Sequence, residues 1–305
     1  MTVPTNTRQS YLGVGPAKAP GIREDLSNII YNISPEETPF MSGIGKSTCD
    51  NTYFEWQTDA LVGGNANRQL EGDDATAIAV TEPDRVGNYT QISTKAVRTS
   101  GTAEAVDFAG RKSSQAYQMA KRAKELKLDM EAMLLDDTQA PAAGTSTTPR
   151  ATGSVGHWIT TNAVTSTAGS VNEDDIREVM ELCWEAGAKP DILMCDGVIK
   201  QAISALSQSV SELRTAANDK SPAYVVAAVD IYVSDFGNLK IVPNRLMPAE
   251  TAYFLDYSFW DIAYLRPFMK HDIARTGDSI AQQLVVEYGL RAKNEAANGK
   301  VDNWA

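Results

Sequence analysis

The run from Ser113 to Leu135 constrains this chain more than any other stretch, because neither Gly nor Pro interrupts it and its apolar residues keep a helical spacing. Ala116, Met119, Ala120, Ala123, Leu126, Met130, Met133 and Leu134 recur three or four apart, which lays them along one stripe of an α-helix. At about 1.5 Å of rise per residue the helix is roughly 33 Å long, enough to cross a whole domain. The rest of the fold must be arranged around it. Its charges are sorted along the axis, with Arg111, Lys112, Lys121, Arg122, Lys124 and Lys127 early and Asp129, Glu131, Asp136 and Asp137 late. The helix dipole favours the opposite order. Two readings follow: the charges solvate an outer face, or the two ends meet complementary charges on neighbouring copies of the chain.

At 305 residues, 43% hydrophobic and 22% charged, the chain can divide a real core between two subdomains. Its 28 basic and 39 acidic residues leave a net charge of -11, and no Lys/Arg cluster is large enough to neutralise many phosphates. Tight nucleic-acid binding is therefore not expected. A polar, Pro-punctuated segment follows Met1, and no run of about 18 apolar residues occurs, so neither a secretory signal nor a membrane helix is predicted. Cys49, Cys183 and Cys195 are far apart, without a C-x-x-C pair, and read as reduced packing residues.

Residues 1–22 carry Pro4, Pro16 and Pro20 among several glycines and few large apolar residues, the composition of an arm that orders only on a partner surface. A short helix is predicted from Arg23 to Tyr31. Gly45-Lys46-Ser47 matches the end of a phosphate-binding loop, but Phe40 stands where that motif needs its first Gly, so the stretch is read as a turn. Tyr53–Thr58 and Asn88–Arg98 have strand composition, and the polar insertion from Leu61 to Gly87 between them predicts a long hairpin projecting from the body. Such a hairpin is marginal alone and needs a surface to lie on. Ala140–Thr167 reads as a loop, followed by a helix capped at Ser170 or Asn172 and running to Ala186, a strand at Ile192–Cys195 and a helix at Val198–Leu206. Tyr224–Val233 with Leu239–Val242 predicts a hairpin, and Thr251–Tyr257, Trp260–Leu265 and Ile280–Ala292 supply further strands.

In this order the elements resemble the Hong Kong 97-like capsid fold of tailed bacteriophages, and most closely the SU10-type major capsid proteins. The resemblance rests on Glu24-Asp25-Leu26-Ser27-Asn28-Ile29-Ile30, Pro35-x-x-Thr38-Pro39-Phe40, Glu55-Trp56-x-x-Asp59, Glu71-Gly72, Val97-x-x-Ser100-Gly101-Thr102 and Asp129-x-Glu131. Asp235-Phe236-Gly237, Asn244-Arg245-x-Met247-Pro248, Leu265-Arg266, Thr276-Gly277-Asp278 and Val285-Val286-Glu287 continue it. It implies an α+β subunit with an N-terminal arm (1–50), an extended hairpin loop (51–100), a peripheral domain with the spine helix 113–135 (101–155 and 265–305) and an axial α/β domain (156–264).

The resemblance further implies pentamers and hexamers closing into an icosahedral head around double-stranded DNA, made in the host cytoplasm and ending in the virion. A portal protein is the expected partner, with scaffolding or decoration proteins as separate chains. Arg68, Glu71, Asp73, Asp74, Arg85, Arg111, Lys121, Arg122, Lys124, Asp129 and Glu131 are the candidate contacts between subunits. An encapsulin-like compartment shell is the alternative on the same fold. A soluble enzyme is the alternative outside it, but only His157 and His271 are present, no G-x-S-x-G occurs, and the adjacent acids Asp73-Asp74, Asp136-Asp137 and Asp174-Asp175 are solvated pairs. No catalytic, cofactor or metal residue is assigned.

Overall fold

The computed structural model describes residues 34–61, 63–64, 68, 71–72, 74, 80, 82–108, 110–167, 169–210 and 230–304. The expected arm at 1–22, the helix at 23–31, Asp73 and most of the run 224–233 lie outside the described residues. In chain order, α1 (Pro39–Gly43) and β1 (Gly45–Thr48) precede β2 (Tyr53–Thr58), β3 (Asp84–Tyr89), β4 (Gln91–Ser100), α2 (Gly101–Ala105) and the long α3 (Ser114–Leu135). Then come α4 (Val155–Trp158), β5 (Ala163–Thr165), α5 (Glu173–Glu185), β6 (Ile192–Cys195), α6 (Gly197–Val210), β7 (Ile231–Val233), β8 (Asn238–Pro243) and β9 (Ala252–Leu255). β10 (Trp260–Ile273), β11 (Ser279–Ala292) and β12 (Gly299–Asp302) complete the order.

The strands form a four-stranded sheet, β1-β10-β11-β4, a six-stranded sheet, β5-β12-β9-β6-β8-β7, and the separate hairpin β2-β3. α3 starts where Ser113 accepts a hydrogen bond from the Ala116 amide at 3.1 Å, an N-cap that satisfies one of the free donors of the first turn. Its stripe buries Leu126, Met130, Leu134 and Leu135 against Trp260, Ile262, Val286, Tyr288 and Leu290 of the four-stranded sheet. Tyr253 and Leu255 of β9 and Met194 of β6 join the same core. On β6, Leu193 and Cys195 point the other way, into a second core with Ile176, Val179, Met180 and Cys183 of α5 and Ile199 and Ile203 of α6. The six-stranded sheet is thus covered on both faces, as strand alternation permits.

Several expectations change. Gly45–Thr48 is a strand rather than a turn, paired parallel to β10 from Gly45↔Asp261 to Thr48↔Tyr264. The partner that makes it a strand is more than 200 residues away, so no local signal announces it. The expected single strand from Asn88 to Arg98 is two, divided at Thr90, one pairing β2 and one pairing β11. Buried polar contacts hold this division: the Asn88 amide donates to the Leu290 carbonyl at 2.6 Å, and the Thr90 hydroxyl donates to Glu287 at 3.0 Å. Part of the expected arm belongs to the body, since Phe40, Met41 and Ile44 sit in the first core. The chain's two layers also divide differently from 156–264 and 265–305: β10 enters the four-stranded sheet at Trp260, while β12 pairs β5 and β9 in the six-stranded sheet.

Candidate assembly interface

The hairpin β2-β3 is a two-stranded sheet of its own, and it brackets the residues between Thr58 and Asp84. Every described residue among 59–83 is exposed, including Arg68, Glu71 and Asp74. Leu61 is 100% and Val80 87% exposed, so the segment presents apolar as well as charged side chains to solvent. Arg85 stands at the base of the hairpin, its Nε 3.5 Å from Glu55 on β2. Sequence reasoning named the acids of this segment and passed over Leu61 and Val80, although the alternation Ile78, Val80 within Thr76–Thr81 is a legible strand signal.

The charges of α3 divide. Lys124 meets Glu36 at 2.7 Å, Asp129 meets Lys95 of β4 at 2.6 Å, and Arg122 pairs with Glu125 one turn on. Arg111 lies 4.2 Å over the Phe108 ring and 5.7 Å from the Tyr117 ring. Lys121 is exposed and has no ion pair with a described residue. Two of the helix's charges, Lys124 and Asp129, are thus answered within the subunit, by Glu36 before α1 and by Lys95 on β4.

Glu131 is a correction. Expected to face a neighbouring copy, it is 0% exposed and accepts hydrogen bonds from the Phe40 and Met41 amides, both at 2.8 Å, and from the Asn244 side chain at 2.9 Å. At the end of α3 the buried stripe widens to Met130, Glu131, Leu134 and Leu135, and this widening carries the acid inward. Burial raises its carboxyl above the ordinary range, against the opposing pull of its three donors. One carboxylate thereby joins the spine helix, the start of α1 and the loop after β8.

Glu287 does the same for the hairpin side. It is buried on β11 and takes hydrogen bonds from Thr90, from Arg266 at 2.7 Å and from Arg150 at 2.5 Å. Burial pushes its carboxyl upward, but the bonds from Arg266 and Thr90 and the charge of Arg150 outweigh it and hold the group below the usual range. The three cysteines are buried, and desolvation pushes the Cys183 and Cys195 thiols up to about 12, so neither supplies a thiolate near neutral pH. Among the described residues no group of three His, Cys, Asp or Glu is placed to hold a metal ion.

What remains is a packed body with an acid-bearing segment whose described residues are exposed, and a long helix α3. A family model described as the SU10 major capsid protein matches residues 3–305, nearly the whole chain. The chain belongs to that family. The major capsid protein of Escherichia phage Phieco32 is 28% identical, the match covering 92% of this chain and 93% of that protein. The capsid asymmetric unit of cyanophage A-1(L) superposes with a TM-score of 0.65 at 11% identity, over 93% of this chain and 97% of that one. The SrpI encapsulin of Synechococcus elongatus superposes with a TM-score of 0.56 at 9% identity, over 90% and 92%. These structural likenesses show a shared fold, the Hong Kong 97-like capsid fold, and the family match identifies a major capsid protein of a tailed phage.

Proposed function

We propose that this capsid protein associates as pentamers and hexamers and closes into the icosahedral head of a tailed phage around double-stranded DNA, with a portal protein at one vertex and no catalytic role. Assembly takes place in the host cytoplasm, and the product is the virion shell. The observation that carries this reading is the segment 59–83, whose described residues are all exposed, Leu61 and Val80 included. A long insertion whose described residues include exposed large apolar side chains is matched to a partner surface. The net charge of -11 suits a shell that encloses DNA without adhering to it.

The test is size-exclusion chromatography and negative-stain microscopy of the purified protein over a rising concentration series. Capsomers or closed particles are expected; a monomer at every concentration refutes the reading. An encapsulin-like compartment shares the fold at 9% identity, whereas the family match over 3–305 favours the phage head. A portal or terminase gene beside this one separates the two.

A further inference from the structure

The loop after α3 meets β12 at a small charged cluster. Lys300 stands opposite Tyr253 in the pairing of β12 with β9, so Lys300 and, two residues on, Asp302 share the sheet face of Tyr253. Val301 between them turns into the second core. The Tyr253 face lies against the first core, where the Tyr253 hydroxyl donates to the Leu135 carbonyl at 3.1 Å. The Lys300 ammonium is 3.1 Å from Asp137 Oδ1 and 3.1 Å from Asp302 Oδ2, and its side chain is only 14% exposed. One ammonium therefore answers two carboxylates. Asp302 Oδ1 is buried and accepts no hydrogen bond, although a buried charge short of partners is costly.

The other titratable groups facing the cluster are Asp136 beside Asp137, His157 on α4 and Tyr253 on β9. Neither ring supplies a second cation. Burial and the Lys300 charge both hold the His157 imidazole below its ordinary value, and burial with the charges of Asp137, Asp302 and Asp136 raises the Tyr253 phenol.

We propose that Lys300 and its two carboxylates form a proton-operated latch between the end of α3 and β12, which closes more firmly when Asp302 takes up a proton. With Asp302 neutral, the ammonium is matched to Asp137 alone and the unanswered charge at Oδ1 is gone. With Asp302 ionised, the cluster carries one negative charge in excess, and the joint between the two layers of the subunit is looser. Burial, with the Asp137 charge, raises the Asp302 carboxyl above its ordinary value of 3.8 against the pull of Lys300. A carboxyl raised in the folded state binds its proton more tightly than it does in the unfolded chain. Stability is therefore lost as pH rises through the raised value and regained as pH falls toward 3.8, the opposite sign to Glu287. The latch belongs to the subunit itself and stands apart from the shell reading above.

The test compares the full wild-type chain with Asp302→Asn as unassembled subunits, by urea unfolding from pH 8 to pH 4. Asn keeps the shape and removes the charge, so groups that titrate alike in both proteins, Glu131 and Glu287 among them, cancel. Wild type is expected to gain on the variant as the pH falls, by at most about tenfold in the unfolding constant per pH unit, the slope of one proton. A gap that stays level, or that moves the other way, overturns the proposal. Hydrogen exchange over residues 136–140 and 299–305, corrected for its intrinsic pH dependence, gives a local readout that does not require Asp302→Asn to fold. Protection there is expected to rise in the wild type as the pH falls. In Asp137→Asn, which leaves Lys300 to Asp302 alone, the rise is expected to move to lower pH. Flat protection in the wild type, or an unmoved rise in Asp137→Asn, overturns the shared latch.

Discussion

Replacing Glu131 tests whether one buried carboxylate holds three elements together. Its Oε1 accepts from the Phe40 amide and the Asn244 side chain, and its Oε2 accepts from the Met41 amide. Glu131→Gln keeps the shape and one oxygen, so the pair at Oε1 survives while an NH2 group faces the Met41 N–H. One buried donor left unpaired costs about 1–3 kcal/mol, and a bond to a charged acceptor is worth about 1.5–3 kcal/mol. A loss of about 2 kcal/mol is expected for Gln. Glu131→Ala strands all three donors, and because the terms overlap the expected loss is about 4 kcal/mol rather than their sum. Urea unfolding followed by circular dichroism measures both, and thermal midpoints should fall by about 3 °C and about 6 °C. Chymotrypsin supplies a local readout, since Phe40 and Met41 are buried in the wild type and cleavage there should accelerate in both variants. If both variants unfold within about 0.5 kcal/mol of wild type, the carboxylate is not the clamp and the reasoning fails.

Glu287 should give an acid-dependent signature: its folded carboxyl is held below the ordinary value of 4.5, so its contribution is present above that pH and disappears as pH falls through the lower folded value. The stability gap between wild type and Glu287→Gln, measured by urea unfolding from pH 7 to pH 3, should stay level and then close at the acid end. Gly156→Ala should destabilise the subunit by about 1–3 kcal/mol in the same assay, because a Cβ there would lie 2.5 Å from Asp137 Cα and 2.6 Å from its carbonyl oxygen. Replacing residues 60–82 with a short Gly-Ser linker, which spares the paired strand from Asp84, should leave the thermal midpoint of the unassembled subunit nearly unchanged while microscopy finds no particles. Lys121→Glu should weaken assembly in a salt-dependent way if that side chain faces a neighbour; an unchanged threshold across a salt series returns it to a solvated helix face.

The hydrophobic pattern made some elements legible and left others hidden, for physical reasons. α3 was readable because its apolar spacing, its Ser113 cap and the lack of breakers all agree, and α5 because Asn172 caps it and Gly187 takes the left-handed φ of +89° that ends it. β1 was hidden because its four residues are mostly exposed and polar, and only pairing with β10 makes them a strand. Among the candidate contacts, charge alone could not separate an acid that faces solvent from one that is buried. Asp129 and Glu131 are two residues apart on one helix, yet the first pairs with Lys95 at the surface and the second is enclosed by amides. The available clue was not the charge but its neighbours: Glu131 stands beside Met130 and ahead of Leu134 and Leu135, where the apolar stripe is widest. An acid inside such a stripe requires donors, and the amides opening a short helix after Pro39 meet that need. The same logic separates Leu61 and Val80, the described large apolar residues of the segment 59–83, which are exposed, from the buried acids Glu131 and Glu287, whose partners are internal.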